Sequence, residues 1–191
     1  QGLNPDKDQC YFIVRGKKLC LQRSYFGSMH VAKSVDERIE DIIADVVYSG
    51  DDFEYEKVRG KTRITKHKQK LENIKKDKII AAYATVLYKD GREESIIMTI
   101  DEIKQAWKQS PINPVDEKGN IKAGTTHDKF TAEMCKKTVI NRICKPIINS
   151  SDDSNIVARY AKQTDTDMIE VEVEEEIKQN ANKEVIDIDT D

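Results

Sequence analysis

The chain has 191 residues and a formal net charge of −3 at neutral pH, a length that suits one domain with a hydrophobic core and an appended tail. No apolar stretch approaches 18 residues, which excludes a membrane-spanning helix of ordinary length. The charge is segregated, because residues 1–150 hold 28 Lys and Arg against 22 Asp and Glu, whereas residues 151–191 hold 4 against 13. We therefore expect a basic core domain at 1–150 and an acidic, mostly disordered tail at 151–191.

The first half of the chain is predicted to open with a hairpin and a helix. Ser24 has a side chain that can accept a hydrogen bond from the first helical turn, which predicts where the helix begins. The Gly-Asp-Asp sequence after Ser49 predicts a turn between two strands. In chain order we predict a hairpin of residues 10–14 and 19–22 about a turn at 15–18, a helix from Ser24 to about Ser34, and strands at 42–48 and 53–56.

The second half is predicted to hold the strongest strand and two helices. Thr99 and Glu102 have the spacing of a capping box, and Pro146 is expected to end the last helix because proline removes a backbone hydrogen bond. The predicted elements are a strand at 79–88, a turn at 89–92, a strand at 95–98, a helix from Thr99 through Trp107, a long loop at 109–126 and a helix from Thr126 or Asp128 to about Lys145. This order predicts an α+β fold, with a ββα start, an antiparallel sheet and packed helices.

A run of basic residues that alternate with other residues lies in the middle of the chain. From Lys57 to Lys78 there are ten Lys and Arg against two acids. Side chains two apart in a strand point to the same side, and Gly60 is expected to turn or bulge the run. The predicted positive row consists of Lys57, Arg59, Lys61 and Arg63. Two interpretations stay open: a track for a nucleic-acid backbone, or a solvated sheet edge that carries Lys against aggregation.

The last predicted helix carries a second basic group. Lys136, Lys137 and Arg142 lie within it and form either a solvated helix face or a positive wall that faces the basic run across a groove. Aromatic residues make up only 6% of the chain, so extensive stacking on bases is not expected. The candidates for a stacking contact are Tyr25, Phe26 and Tyr11, with core packing as the alternative role.

Three further features indicate other chemistry only weakly. Residues 27–34 resemble a phosphate-binding loop, but Ala32 stands where that loop needs glycine before the lysine, which favours a capped helix. Asp51 and Asp52 are residues that can bind Mg²⁺ for nuclease chemistry, although Gly-Asp-Asp is also an ordinary turn. The four cysteines have no zinc-ligand spacing, so we expect no bound metal and reduced, mostly buried thiols.

Four segments of the chain together resemble one protein family. They are Gly2-Leu-Asn-Pro, Gln22-Arg-Ser-Tyr-Phe-Gly27, Val46-Val-Tyr-Ser-Gly-Asp-Asp-Phe53, and Thr126-His127 followed by Glu133-Met-Cys-Lys-Lys-Thr138 and Arg142. Their order and spacing, from residue 1 to about 146, resemble the RecT family of phage and prophage single-strand annealing proteins. The chain departs from the family at Ala123, where a Trp is common nearby, and at Asn141, where the family often has a second arginine. The resemblance does not extend into the tail, and it implies a further segment ahead of Gly2.

The resemblance implies a core similar to that of the eukaryotic strand-annealing proteins. It also implies ATP-independent annealing of complementary strands in phage-type homologous recombination and repair, without catalytic residues. One strand would be held by its backbone in a basic groove, and Thr138 would position the last helix. The residues expected to bind DNA are Arg15, Lys17, Arg23, Tyr25, Arg59, Lys61, Arg63, Lys136, Lys137 and Arg142.

The same resemblance implies the partners. They are single-stranded DNA and the annealed duplex, further copies of the chain in a ring or helical filament, a host single-strand-binding protein and a phage exonuclease. The expected place of action is the cytoplasm of a bacterial host, away from membranes. No cofactor is expected, with Mg²⁺ as a modulator of DNA binding.

Two alternatives to annealing remain at this point. One is a Mg²⁺-dependent nuclease centred on Asp51 and Asp52, and the other is a non-catalytic interaction module with a solvated basic run. The acidic tail, residues 170–191, has three alternative roles: to compete with DNA for the groove, to dock a host replication protein, or only to keep the chain in solution.

Overall fold

A computed structural model of the chain describes residues 2–15, 18–110 and 113–150. The elements of this part are β1 (Cys10–Arg15), β2 (Lys18–Arg23), α1 (Tyr25–Val35), β3 (Ile39–Tyr48), β4 (Asp52–Val58), β5 (Lys61–Lys68), β6 (Ile79–Tyr88), β7 (Glu93–Thr99), α2 (Ile100–Lys108), α3 (Thr126–Lys129) and α4 (Thr131–Asn149). The predicted α+β class with a ββα start is confirmed. The predicted domain boundary at residue 150 stays a prediction, because the acidic tail lies outside the described residues.

The strands form two antiparallel sheets. One is the β1–β2 hairpin, and the other has five strands in the order β3-β6-β7-β5-β4. The long apolar strand β6 lies inside the larger sheet, paired with β3 and β7. β5 joins β7 at a single pair, Thr62 with Ser95. Farther along the hairpin, side chains continue the contact with the sheet, since the His67 Nδ1 on β5 lies 3.0 Å from the Tyr83 hydroxyl on β6.

The core lies between one face of the larger sheet and the helices α1, α2 and α4. Ile42 and Val46 on β3 stand opposite Val86 and Ala82 on β6, and all four are at most 2% exposed. The helical residues that complete this core are Val31, Ala32, Ile103, Trp107, Cys135, Val139, Ile140, Ile143, Cys144 and Ile148. Burial of one such aliphatic side chain contributes about 1.5–3 kcal/mol, so the central helix α4 is held mainly by its apolar residues.

The start of α1 is tied to the N-terminal region. Ser24 caps the helix by accepting a hydrogen bond from the Gly27 amide over 3.1 Å, and its own amide donates to the Gln9 carbonyl over 3.0 Å. A Cβ on Gly27 would lie 2.1 Å from that carbonyl oxygen. Only glycine allows this approach, which gives a structural reason for glycine in the Gln22–Gly27 segment.

The predicted helix start at Thr126 is confirmed by α3, but the prediction of one continuous helix that ends near Lys145 is wrong. The helical region breaks at Phe130, which has φ −129° and ψ 47°, and the hydroxyl of Thr131 donates to the His127 carbonyl over 2.8 Å. At the other end α4 continues through Pro146 to Asn149. The extra turn places Ile148 in the core at 3% exposure, and this burial offsets the hydrogen bond that the proline removes.

The predicted single row of four basic residues is also wrong. Arg59 (φ 51°) and Gly60 (φ 80°) both have left-handed backbone conformations and form the two-residue turn of the β4–β5 hairpin, as in a type I′ turn. Val58 stands opposite Lys61, and Lys57 opposite Thr62. Because opposed residues share a face, Lys61 and Arg63 lie on one face of the hairpin and Lys57 lies on the other.

Candidate nucleic-acid interface

A groove lies between the β4–β5 hairpin and α4. Lys61 and Arg142 line it from opposite sides. The other lining residues are Gly60, Thr62, Val86, Tyr88, Glu94, Ser95, Ile96, Ile143, Pro146 and Ile147, and the volume is about 240 Å³. In this central groove the last turns of α4 thus face the start of β5 across β7.

The central groove continues at both ends. On the hairpin side it shares Lys61 and Glu94 with a recess of about 320 Å³ that also contains Arg63 and Arg92, the arginine compartment. On the other side it shares Ile96 and Arg142 with a recess of about 480 Å³ between β7 and α2 that also contains Gln105, the α2 compartment. The three recesses together form a surface channel across β7.

The charges of this channel are mixed. Lys61 forms an ion pair with Glu94. Arg92 pairs with Asp90 over 2.7 Å and lies 4.8 Å from the centre of the Tyr88 ring. Arg63 and Arg142 are exposed, and neither forms an ion pair with a carboxylate within the described ranges. These two guanidinium groups are therefore the cations most available to an anionic ligand.

The channel also contains an acidic group at its α2 end. Glu102 accepts hydrogen bonds from the Thr99 amide and hydroxyl over 2.8 and 3.0 Å, completing the predicted capping box. These bonds, with a further contribution from the positive charge of Arg142, lower the pKa of Glu102. The carboxylate is thus ionised at neutral pH and makes the α2 compartment less attractive to a phosphate than the arginine compartment.

The three α4 residues that were predicted to bind DNA point in different directions. The ammonium group of Lys136 contacts Glu133 over 2.7 Å. Burial opposes its charge, but the bond to Glu133 prevails and the pKa of Lys136 is raised. Lys137 lies near His127 and helps to lower the pKa of that imidazole, after burial. At 3.6 residues per turn, neither lysine shares a helix face with Arg142, so the predicted positive wall reduces to Arg142 at the central groove.

Arg23 and Tyr25 lie at the start of α1. The Arg23 Nε donates to the Ser28 hydroxyl over 3.3 Å, and Arg23 is half-buried. The Tyr25 ring lies 4.0 Å from that of Phe26, measured between centroids. Burial first, and then the charge of Glu133, raise the pKa of Tyr25. None of the three lines the channel, and their contact with DNA stays a prediction.

The remaining predicted DNA-binding residues are Arg15, Lys17 and Arg59. Arg59 is exposed at the tip of the β4–β5 hairpin, two residues before Lys61 of the central groove. Arg15 ends β1, and its side chain and Lys17 lie outside the described residues. The β1–β2 hairpin exposes Phe12 (62%), Val14 (71%) and Leu19 (68%), an apolar hairpin face that the sequence pattern does not indicate.

Sequence reasoning missed Arg92, Gln105 and Gln109, which also line the channel. The sequence pattern assigns Arg92 to a turn, and Arg92 does close that turn by bonding to Asp90. Gln105 lies in α2 and Gln109 is the C-cap residue of that helix, four positions later and therefore on the same side. That spacing could have grouped the two glutamines from the sequence, but no local pattern indicates that their side of the helix borders β7.

The nuclease alternative is not favoured by the surroundings of Asp51 and Asp52. The Asp51 side chain is fully buried, and its carboxylate accepts hydrogen bonds from the Tyr48 amide and from Asn73 Nδ2, each over 2.9 Å. Asp52 pairs with Lys66 over 2.7 Å. Among the residues that the structure describes, no group of three or more His, Cys, Asp or Glu side chains could hold a metal ion. Asp51 therefore serves as the centre of a turn.

The remaining weak motifs also have structural roles. Residues 27–34 lie within α1, as the capped-helix interpretation predicts. All four cysteines are free; Cys10, Cys135 and Cys144 are buried and Cys20 is half-buried. In the part of the chain that the structure describes, no helix is both long and apolar enough to cross a membrane.

Comparison with known proteins identifies one family. The family model described as RecT family matches residues 1–182. The match extends well into the segment after residue 150, beyond the end near residue 146 that the sequence motifs gave. No curated protein matches the chain.

Proposed function

The chain belongs to the RecT family, and from this premise we propose that it anneals complementary DNA strands without ATP while holding one strand by its backbone in the channel across β7. The family supports the general role, which is phage-type single-strand annealing in DNA recombination. The backbone-binding mode, the independence from ATP and the individual contacts are the proposal.

The observation that carries the proposal is the position of Lys61 and Arg142 on opposite sides of the central groove. Arg63 and Arg92 continue this line of cations into the arginine compartment. Cations that neutralise phosphates bind any sequence, because phosphate contacts contain no base information. Complementarity is then tested by pairing with the incoming strand, and pairing is downhill, so no nucleotide hydrolysis is needed.

The remaining partners are part of the same proposal. Several copies of the chain would assemble as a ring or filament along the strand, with Mg²⁺ modulating DNA binding and no other cofactor. A host single-strand-binding protein and a phage exonuclease would supply and prepare strands in the bacterial cytoplasm. The acidic segment 170–191 would dock the host protein or compete with DNA; its removal should raise DNA affinity at low salt only in the second case.

The test is annealing of two labelled complementary oligonucleotides without ATP. We expect the wild type to accelerate pairing, and Arg63→Gln combined with Arg142→Gln to slow it and to weaken single-strand binding. The log–log salt dependence of binding should become shallower by roughly 0.7 for each phosphate that the variant no longer neutralises. Lys7→Gln combined with Lys118→Gln is the matched control, because it also removes two positive charges and both lysines are exposed and line none of the three recesses.

Two results would contradict the proposal. A wild-type annealing rate equal to the spontaneous rate would reject annealing itself. An unchanged salt dependence in the double variant would reject the channel as the place of phosphate binding. Incubation of labelled DNA with Mg²⁺ serves as a parallel test of the nuclease alternative, which requires cleavage products that disappear in Asp52→Ala.

A further inference from the structure

The α2 compartment differs in chemistry from the rest of the channel. Its apolar lining consists of Ile96, Ile97 and Met98 from β7 and Ala106 from α2. The uncharged amides of Gln105 and Gln109 stand on its α2 side, and Arg142 closes the end toward the central groove. The arginine compartment at the opposite end is lined instead by Lys61, Arg63 and Arg92 together with Glu93 and Glu94. The channel therefore has a cationic end and a neutral, partly apolar end.

The two ends of the channel suit different parts of a nucleotide, the cationic end the phosphate and the neutral end the base. A phosphate is favoured among the guanidinium groups and is disfavoured beside the negatively charged carboxylate of Glu102. A base, by contrast, is uncharged and flat, and gains from contact with apolar side chains. The amide of each glutamine offers both a donor and an acceptor, so it can meet the edge of any base or a sugar hydroxyl.

We propose that the α2 compartment is a nucleobase-binding site, in which a base of the bound strand lies against Ile96, Met98 and Ala106 with its edge at Gln105 and Gln109. This inference rests on the proposed function, since it assumes that the strand's phosphates lie in the channel. Arg142, which lines both the central groove and the α2 compartment, holds the phosphate between the two. The strand then lies with its backbone toward β5 and its bases toward α2.

The open shape of the compartment reconciles base binding with annealing. It is a surface recess of about 480 Å³ rather than a closed cavity. A base held by its face on the apolar lining leaves part of its edge in solvent, where a complementary base can pair. Contacts of this kind tolerate any sequence, because each base offers a flat apolar face.

The test compares two oligonucleotides of equal length and phosphate number, one normal and one with abasic sites throughout its central part. Binding of the full chain is measured by fluorescence anisotropy. Gln105→Ala combined with Gln109→Ala should weaken binding of the normal strand about tenfold, which corresponds to about 1.4 kcal/mol, and should leave the abasic strand unchanged. Arg63→Gln should weaken both strands by the same factor, because both retain the phosphates.

The control variant and the possible outcomes distinguish failure of the base-binding site from failure of the proposed annealing function. Lys108→Ala, an exposed change on α2 outside the compartment, should have no selective effect on the normal strand. Equal binding of both strands by the wild type, or equal weakening of both in the glutamine variant, would overturn the base site while leaving annealing intact. No binding of either strand by the wild type would overturn both. Trp107 fluorescence checks that each variant is folded.

Discussion

The indole Nε1 of Trp107 donates a hydrogen bond to the Thr138 hydroxyl over 2.8 Å and thereby joins α2 to α4. The Thr138 hydroxyl in turn donates to the Met134 carbonyl one turn earlier, also over 2.8 Å. The Trp107 ring also packs in a T-shaped arrangement with the His127 ring, with 4.7 Å between the ring centroids. This chain of contacts fixes α2, and with it the wall that carries Gln105, against the central helix.

Replacement of Thr138 by valine tests this joint. Thr138→Val keeps the shape but leaves the buried indole N–H without its acceptor, which should lower the free energy of unfolding by about 1–3 kcal/mol. Urea unfolding followed by Trp107 fluorescence measures the change. Thr65→Val, at an exposed threonine of β5, is the control and should change stability little. Equal stability of Thr138→Val and the wild type would contradict a structural role for the bond.

His127 should make this region sensitive to mild acid. Burial, and then the charge of Lys137, lower the pKa of His127 below its ordinary value of 6.5. The native state therefore binds fewer protons than the unfolded state below that pH, and its stability should fall as pH drops from 6.5 through the lower native pKa. Lys137→Gln should move the native pKa upward. Titration of Trp107 fluorescence measures it, and a midpoint at or above 6.5 in the wild type would refute this prediction.

The ion pair of Lys61 and Glu94 should restrain DNA binding. Glu94→Gln removes the acid that competes with phosphate for Lys61, so single-strand affinity should rise and its salt dependence should steepen by up to roughly 0.7. Glu37→Gln makes the same charge change at an exposed residue outside the channel, and it should have a smaller effect. If both variants bind equally, net charge alone determines affinity and Lys61 is not a phosphate contact.

Asp51 should be the carboxylate whose removal costs most stability. Burial opposes its charge, but hydrogen bonds from the Tyr48 amide, Asn73, His67 and Gln69 prevail and lower the pKa of Asp51. Stability from this group is complete above the unfolded pKa near 4 and should be lost as pH falls through the native value. Asp51→Asn sets two amide donors against each other and should cost about 1–3 kcal/mol at neutral pH.

The control for Asp51 is its neighbour in the chain. Asp52→Asn breaks only an exposed ion pair with Lys66 and should cost less than about 1 kcal/mol. Chemical unfolding of both variants at pH 7 and pH 3 distinguishes them. A similar small decrease in stability for both would show that the Asp51 hydrogen bonds contribute little to the turn.

The cysteines should differ sharply in reactivity. Burial raises the pKa of Cys135 to about 12 and that of Cys144 to about 12, so neither forms the reactive thiolate at neutral pH. Cys20 is the half-buried thiol and should react first with a thiol reagent such as DTNB, while the buried thiols react only after unfolding. Fast modification of Cys135 or Cys144 in the native protein would contradict the packing of α4.

Much of the fold could be predicted because its signals are local. Ser24 and Thr99 cap their helices within the next three residues, and Gly60 turns the basic run in the position that the sequence indicated. The predicted end of the last helix was wrong because the helix continues past Pro146 to bury Ile148 in the core. That burial depends on residues far away in the chain. Local sequence rules account for the hydrogen bond that a proline removes from a helix, but not for the stabilisation gained from tertiary packing.

The candidate site was harder to predict because it depends on strand order. Nothing in the sequence indicates that β5 pairs with β7 rather than with β3, and only that order brings Lys61 to the groove beside Arg142. Lys136 is also basic and lies on the same helix as Arg142, yet it contacts Glu133 instead. A set of basic residues in the sequence therefore does not by itself predict which of them line the same groove.

Because Lys61 and Arg63 lie on the same face of β5, the geometry of the strand fixes the distance between their points of attachment. Strands rise about 3.3 Å per residue, so the two residues are attached to the backbone about 6.6 Å apart. Consecutive phosphates of one strand of B-form DNA are separated by the axial rise of about 3.4 Å per nucleotide and also by the sideways displacement that winding with about ten nucleotides per turn adds. Their distance in space is therefore well above the axial rise, and the spacing of the two side chains suits neighbouring phosphates rather than alternate ones. If both side chains bind the same strand, they span a single step between two nucleotides.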